Sequence, residues 1–272
     1  GECPHCHAKE QRSDQCENCG RMIEMGAIIN PYSKLTKSAV TMKETEHYYI
    51  DLSSLNPEIE KYIESKKGIW KNWVYQEALG WSKEGLKPRA ITRDLDWGVE
   101  IPGNRIPDDM KLERSEGKRF YVWFDAVTGY YSASKIWSEI AKGTLTQKDI
   151  IFNKFEGQST DWEDWWISSK DSKQDIFHYY FMGQDNVVFH TIMWPAQLIG
   201  AFGNKIHTPD NVAANKFMNY EGKKFSKSRG WIIDSNEIAE DYGVDAVRYY
   251  IAANLPENKE GNFTWEEFHA AI

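Results

Sequence analysis

The chain is 272 residues long, enough for one large domain or two modest ones. Its 33 Lys and Arg stand against 41 Asp and Glu, and the net charge of −8 excludes a strongly basic nucleic-acid coat while leaving room for a local basic site. With 41% hydrophobic and 27% charged residues, no long apolar run and no basic-then-apolar leader, the sequence reads as a folded chain with no membrane span, expected in the cytoplasm.

The four cysteines, Cys3, Cys6, Cys16 and Cys19, open the chain with the spacing C-x2-C-x9-C-x2-C. Each C-x2-C pair can fold as a knuckle, and two knuckles complete a tetrahedron of sulfur around one metal. With every position filled by sulfur, the metal is structural, and zinc is the first choice. Iron would bind the same ligands less well. Two disulfides are the alternative, disfavoured in a chain without a secretory leader. Gly20 can turn the chain back after the second knuckle, and His5 and His7 read as bystanders.

Residues 28–50 look irregular or hairpin-like. Asn56-Pro57 predicts a helix start, with helical spacing to about Lys67 and a stop at Gly68. A second helix follows through Trp70, Trp73, Val74 and Leu79, ending near Gly85. Ile91 to Gly98 reads as loop, as do Pro102 and Pro107. Arg119–Asp125 (RFYVWFD) predicts a buried strand of a parallel sheet, and Ile176–Met182 (IFHYYFM) a second one. The latter ends in Gly183-Gln-Asp185, ahead of an apolar helix over Val187–Phe202. That is half of a βαβ unit, with a nucleotide-binding type of loop at the strand end. Gly157–Lys173 reads as an exposed insertion.

Val212–Tyr220 predicts another strand, leading into residues 222–230, GKKFSKSRG. Four cations with no acid between them, flanked by Gly222 and Gly230, can close over a triphosphate and offset the charge of departing pyrophosphate. Ser226 and Ser228 can donate to phosphate or to the loop backbone. A solvated hairpin tip is the bland alternative. Asp234 with Glu237 predicts a helix start, Gly243 a break, Asp245 a cap for the next helix, and Thr264 with Glu267 a further capping box.

Together these segments resemble the methionyl-tRNA synthetase family of class I aminoacyl-tRNA synthetases, over nearly the whole chain from Gly1 to about Phe268. Lys224-Phe-Ser-Lys-Ser228 resembles the family's KMSKS loop, with Phe225 in place of Met. Tyr121-Val-Trp-Phe-Asp-Ala-Val-Thr-Gly-Tyr130 is similar to the methionine-pocket segment, with Ala126 and Val127 where the family often has Ala-Pro. Gly183-Gln-Asp-Asn-Val-Val-Phe-His190, continuing to Trp194-Pro-Ala196, is similar to the segment that contacts adenosine and methionine.

The resemblance implies an α/β fold: the second half of a Rossmann-type parallel-sheet catalytic domain, with a zinc-knuckle insert and a C-terminal stem-contact segment. It divides the chain into the knuckle (1–35), the rest of the insert (36–88), the catalytic half (89–210), and the lysine loop with stem-contact helices (211–272). It implies that Trp123, Tyr130, His190 and Trp194 line methionine. Gly183, Asp185, Lys224, Ser226 and Lys227 would bind ATP, and Arg93 with Lys224 and Lys227 would stabilise the activation transition state. Lys223 is a less certain partner. Cys3, Cys6, Cys16 and Cys19 would hold one structural zinc; family members with two metals carry a further C-x2-C near Asn30–Ser33 that is not present here. ATP with Mg, methionine and tRNA(Met) are the implied substrates. The family's HIGH-containing N-terminal half and its anticodon-binding domain are not in the sequence, so a fragment inactive alone is expected. A non-catalytic, zinc-binding tRNA-interaction protein derived from a synthetase is the alternative, and the aromatic set with Asp185 argues against it. A synthetase for leucine, valine or cysteine fits less well, since the knuckle spacing and FHxxxWPA do not go with those relatives.

Overall fold

The computed structural model describes every residue except 13–15, 17, 20, 22, 25, 114–116, 147–158, 168–175, 228 and 229. Gly20, Ser228 and parts of the Gly157–Lys173 segment therefore lie outside the described residues. The chain forms two compact units. One comprises Gly1–His47 and Arg105–Glu116, the other Tyr48–Asn104 and Gly117–Ile272.

The first unit has little regular structure. An antiparallel bridge joins Glu2 to Ile29, and another joins Tyr32 to Ala39, so the expected hairpin-like stretch is present. Its buried core among the described residues is Cys3, Cys16 and Ile23, with Cys6, Ala8 and Ile28 packed against them. Half of that described cluster is cysteine.

The second unit begins with β1 (Tyr49–Ile50) and α1 (Leu52–Glu64). Asp51 caps α1, accepting from the amides of Ser53 at 3.1 Å and Ser54 at 3.3 Å. The helix thus starts ahead of the expected Asn56-Pro57, and Pro57 lies inside it. Asn56 acts as a cross-link instead: its Nδ2 donates to the Ser82 carbonyl, and its Oδ1 accepts from the Ser82 hydroxyl, on α2 (Asn72–Lys83). Ile59 and Ile63 of α1 and Val74 and Ala78 of α2 are fully buried, each pair one helical turn apart.

β2 (Arg89–Ala90) pairs antiparallel with β1, and β3 (Thr92–Asp94) pairs antiparallel with β4 (Lys118–Phe120). Two expectations are corrected here. Part of the Ile91–Gly98 loop is strand, because Thr92 is fully buried and its neighbours pair with β4. The Arg119–Asp125 run is not a buried parallel strand. Past Phe120 the Tyr121 carbonyl accepts the amides of Phe124 and Asp125, and the chain turns into α3 (Val122–Asp125) with Val122 and Trp123 exposed. Strand propensity in such a run reports a packing preference that tertiary context overrides. α4 (Gly129–Ala141) and α5 (Glu163–Trp166) follow. Trp166 is buried in the main core, so this part of the expected insertion is integral to the fold.

β5 (Tyr179–Gly183) pairs in parallel with β6 (Asn211–Asn215), Tyr179 opposite Asn211 and Gly183 opposite Asn215. Between them run a widened π turn (Phe189–Met193) and α6 (Trp194–Phe202), completing the expected βαβ unit. Pro195 cannot donate a helical hydrogen bond, and its ring crowds the preceding turn; the π turn directly ahead of it relieves that conflict. Tyr180, Val212 and Ala214 face the core formed with α1, α2 and α6.

The expected strand Val212–Tyr220 is two strands, because Lys216 breaks it, its amide donating to the Pro256 carbonyl at 2.8 Å. β7 (Met218–Tyr220) pairs antiparallel with β8 (Lys223–Lys224) and parallel with β9 (Gly261–Phe263). With α7 (Ser235–Tyr242), α8 (Val244–Ala253) and α9 (Trp265–Ala271), these strands enclose a second core of Ile238, Tyr250, Phe263 and Phe268. Asp234 caps α7 and Thr264 caps α9, as expected. Gly243, at φ 85°, both ends α7 and opens α8, so Asp245 sits in the first turn and is not the cap. Among the described residues no helix is long and apolar enough to cross a membrane.

Candidate functional site

The C-terminal end of β5 carries the site. Gly183 closes the strand and Asp185 lies in the short turn after it. A Cβ on Gly183 would stand 2.8 Å from Asp185 Oδ1, so the carboxylate folds back over Gly183 and a side chain there would displace it. Asp185 is exposed and caps no helix.

The helix that follows brings His190 and Trp194 into the core, both nearly fully buried. His190 Nδ1 lies 2.9 Å from the Asn186 carbonyl, which can only accept, so Nδ1 carries the proton. His190 Nε2 is then the acceptor for the Tyr130 hydroxyl at 2.8 Å. Burial pulls the imidazole below 6.5 and pushes the Tyr130 phenol above 10.0, so both groups are neutral near pH 7 and the chain of donors is fixed. Trp194 Nε1–H donates to the Tyr180 hydroxyl at 3.1 Å. Trp123 stacks on Phe189 at 5.2 Å, and the Arg89 guanidinium lies over the same Phe189 ring at 5.8 Å. The result is a wall of neutral aromatic edges and faces, of the kind that suits an apolar or thioether group.

Trp123 also lines a cleft with Tyr121, Phe124, Phe189, Met193 and Arg89. Arg93 joins it indirectly. Its guanidinium stacks on Tyr121 at 4.0 Å and donates to the carbonyl of Thr92 at 2.8 Å. Asp94 of this strand pairs with Lys118 of β4 at 2.6 Å.

Lys224 and Lys227 are exposed, and Lys224 lies on β8, paired with Asn219 of β7. Lys224 ends β8, and Ser226 forms a two-bond bridge with Trp231. Phe225 stacks on Tyr220 at 5.7 Å, and Trp231 Nε1–H donates to the Tyr220 carbonyl. Lys223 lies over the Trp231 ring at 4.8 Å. An aromatic base thus carries Lys223.

In the first unit, the four sulfurs lie within 4.8 Å of one another. Cys3 and Cys19 Sγ are 4.0 Å apart, and Cys6 and Cys16 Sγ 3.6 Å apart. A disulfide would need about 2.05 Å. A tetrahedron with bonds of about 2.3 Å spaces its corners by about 3.8 Å, which these distances fit. The His5 amide donates to Cys3 Sγ and the Cys19 amide to Cys16 Sγ, each at 3.4 Å, the contacts that stabilise thiolates at a knuckle. A backbone hydrogen bond from Ala8 draws Cys6 down to about 6, while burial pushes Cys16 up to about 12. His7 bonds Glu2 at 2.7 Å and is not one of the clustered ligands.

The sequence alone does not single out Tyr180, Phe189, Tyr121 or Arg89. In IFHYYFM aromatic residues occupy both faces of the strand, so no alternation marks the one that points inward.

Similarity to known proteins runs along the whole chain. The family described as tRNA synthetases class I (M) matches residues 1–272. A methionine–tRNA ligase of Roseiflexus castenholzii is 42% identical over 269 residues, covering 98% of this chain and 41% of the relative. One from Bifidobacterium longum subsp. infantis is 40% identical over 279 residues, covering 98% of this chain and 40% of the relative. A methionyl-tRNA synthetase structure from Mycobacterium tuberculosis, bound by methionyl-adenylate, shares the fold with a TM-score of 0.60 at 23% identity. It covers 89% of this chain and 40% of that one. The chain therefore spans about two fifths of the length of the curated relatives it matches.

Proposed function

The chain belongs to the class I tRNA synthetase family (M), and from that premise we propose that it is the second half of the catalytic core of a methionine–tRNA ligase. The observation that carries this reading is the neutral Tyr130–His190 pair, locked at 2.8 Å beside buried Trp194 at the end of a βαβ strand. A drifted, non-catalytic descendant would have no reason to keep that pair.

In this reading Trp123, Tyr130, His190 and Trp194 enclose the methionine side chain. Aromatic contacts to sulfur are worth about 0.3–1.5 kcal/mol each, so shape does much of the selection. Asp185 accepts from the ribose hydroxyls of ATP, and Gly183 lets the adenosine approach the backbone. The methionine carboxylate, already ionised, attacks the α-phosphorus in line. The bond to pyrophosphate breaks as the new acyl–phosphate bond forms, giving methionyl-adenylate. Lys224, Lys227 and Ser226 offset the charge on the departing pyrophosphate, with Mg as co-substrate, and Arg93 contributes from its seat on Tyr121. A hydroxyl of the terminal ribose of tRNA(Met) then attacks the methionyl carbonyl, forming the ester as the acyl–phosphate bond breaks and AMP leaves. No nucleophilic side chain is required.

Cys3, Cys6, Cys16 and Cys19 hold one zinc, which closes the fold of the first unit and takes no part in the chemistry. The reading assigns the first catalytic half and the anticodon-binding domain to the rest of the same polypeptide, and the cytoplasm as its compartment. The test is methionine-dependent ATP–pyrophosphate exchange. The full-length polypeptide should catalyse it and the 272-residue chain should not. Exchange driven by another amino acid but not by methionine would refute the proposal.

A further inference from the structure

Three of the four side chains assigned to methionine converge on one residue that has no part in that assignment. Tyr180 is buried on β5, 7% exposed, while its strand neighbours Tyr179 and Phe181 point outward at 57% and 80%. Its hydroxyl accepts from Trp194 Nε1 at 3.1 Å. Its ring meets Tyr130 edge to face at 4.8 Å and leans on His190 at 5.7 Å. Pairing with Val212 of β6 sets its height in the sheet. Gly183 and Asp185 lie just beyond it on the same strand and turn.

A buried indole N–H needs an acceptor, and the acceptor decides which way the indole plane faces. Tyr180 supplies that acceptor. Burial pushes its phenol up to about 12, so the hydroxyl stays un-ionised across the working range of pH. One rigid side chain thereby orients Trp194 by a hydrogen bond and braces Tyr130 by ring contact. It ties both to the strand that presents Asp185.

We infer that Tyr180 is a positioning residue for amino-acid recognition, acting through Trp194 and Tyr130 and not by touching the substrate. The inference rests on the methionine-activation reading.

The experiment is Tyr180→Phe in the full-length polypeptide, alone and combined with Trp194→Phe, assayed by ATP–pyrophosphate exchange. Phe keeps the ring and removes only the acceptor. KM for methionine should rise about fivefold, the scale of one neutral hydrogen bond, with kcat and KM for ATP within about twofold of wild type. In the Trp194→Phe background the same change should add nothing, because no N–H remains to be held. Tyr180→Leu, which also removes the brace on Tyr130, should raise KM for methionine further. An unchanged KM for methionine in Tyr180→Phe, or an equal effect in both backgrounds, overturns the positioning role and leaves the ligase reading standing. A wild-type enzyme with no methionine-dependent exchange sinks that reading and this inference together.

Discussion

Replacing Cys16 by Ser removes one of four clustered sulfurs and, among the described residues, one of the three buried side chains in the core of the first unit. Burying a side chain of Cys or Ile size contributes at most about 1.5–3 kcal/mol. Apparent binding energies of structural zinc are about 10–16 kcal/mol near pH 7. A zinc bound by the four thiolates would therefore stabilise this unit more than burial of any one of these side chains, and losing one thiolate should unfold it. The second unit has its own extensive apolar core and should survive. All 12 tryptophans lie between Trp70 and Trp265 and outside residues 105–116, so tryptophan near-ultraviolet circular dichroism reports on the second unit alone. Elemental analysis should find about one zinc per wild-type chain and well under half that in the variant. Limited proteolysis should cut within residues 1–47 of the variant while the tryptophan signal and its melting are retained. A wild-type chain that is metal-free yet resists cleavage there would refute the reasoning. So would a variant that binds zinc at the wild-type level.

Three further outcomes are expected. Lys227→Ala in the full-length enzyme should slow exchange by about 10²–10³-fold, the usual cost of removing one charge-stabilising donor, with KM for methionine little changed; an equal rise in that KM would place Lys227 elsewhere in the cycle. Protonation of His190 at Nε2 removes the acceptor for Tyr130, and its lowered pKa means that the neutral form prevails above 6.5. KM for methionine should then be flat between about pH 7 and 8 and climb only as pH falls below 6.5, and a proton NMR titration of the His190 ring should show the same lowered midpoint. Asp210, held by His207 at 2.6 Å, has its carboxyl lowered from 3.8 to about 2. Burial alone would raise it; hydrogen bonds from His207 and the His178 amide reverse the sign. Its contribution is present above pH 3.8 and is lost as pH falls through about 2. Asp210→Asn should cost on the order of 1–2 kcal/mol at pH 7, after allowing for solvent screening, and almost nothing near pH 2; denaturant melts at the two pH values check this.

What could be read from residues alone was what is local in sequence. The cysteine ligands announce themselves because the two knuckles lie close together in the chain. Asp234 and Thr264 mark helix starts because a capping side chain bonds amides two or three residues away. Asp51 was hidden behind the stronger-looking Asn56-Pro57, which the helix absorbs by turning Asn56 toward α2. RFYVWFD misled because its aromatic and β-branched content fits a strand, whereas the folded chain needs Tyr121 under Arg93 and Trp123 on Phe189. The Tyr130–His190 bond spans 60 residues, and no periodicity predicts such a pair. Those residues were legible only through a family likeness, and Tyr180, which the likeness does not mark, required the fold.

The cysteine-bearing unit is not one continuous stretch of chain: Arg105–Glu116 returns to it after two helices and three strands of its neighbour have been laid down. During synthesis the four thiols emerge well ahead of the second segment of their unit. The unit can close only after the intervening chain has been made, and excision after His47 yields a peptide lacking part of that unit.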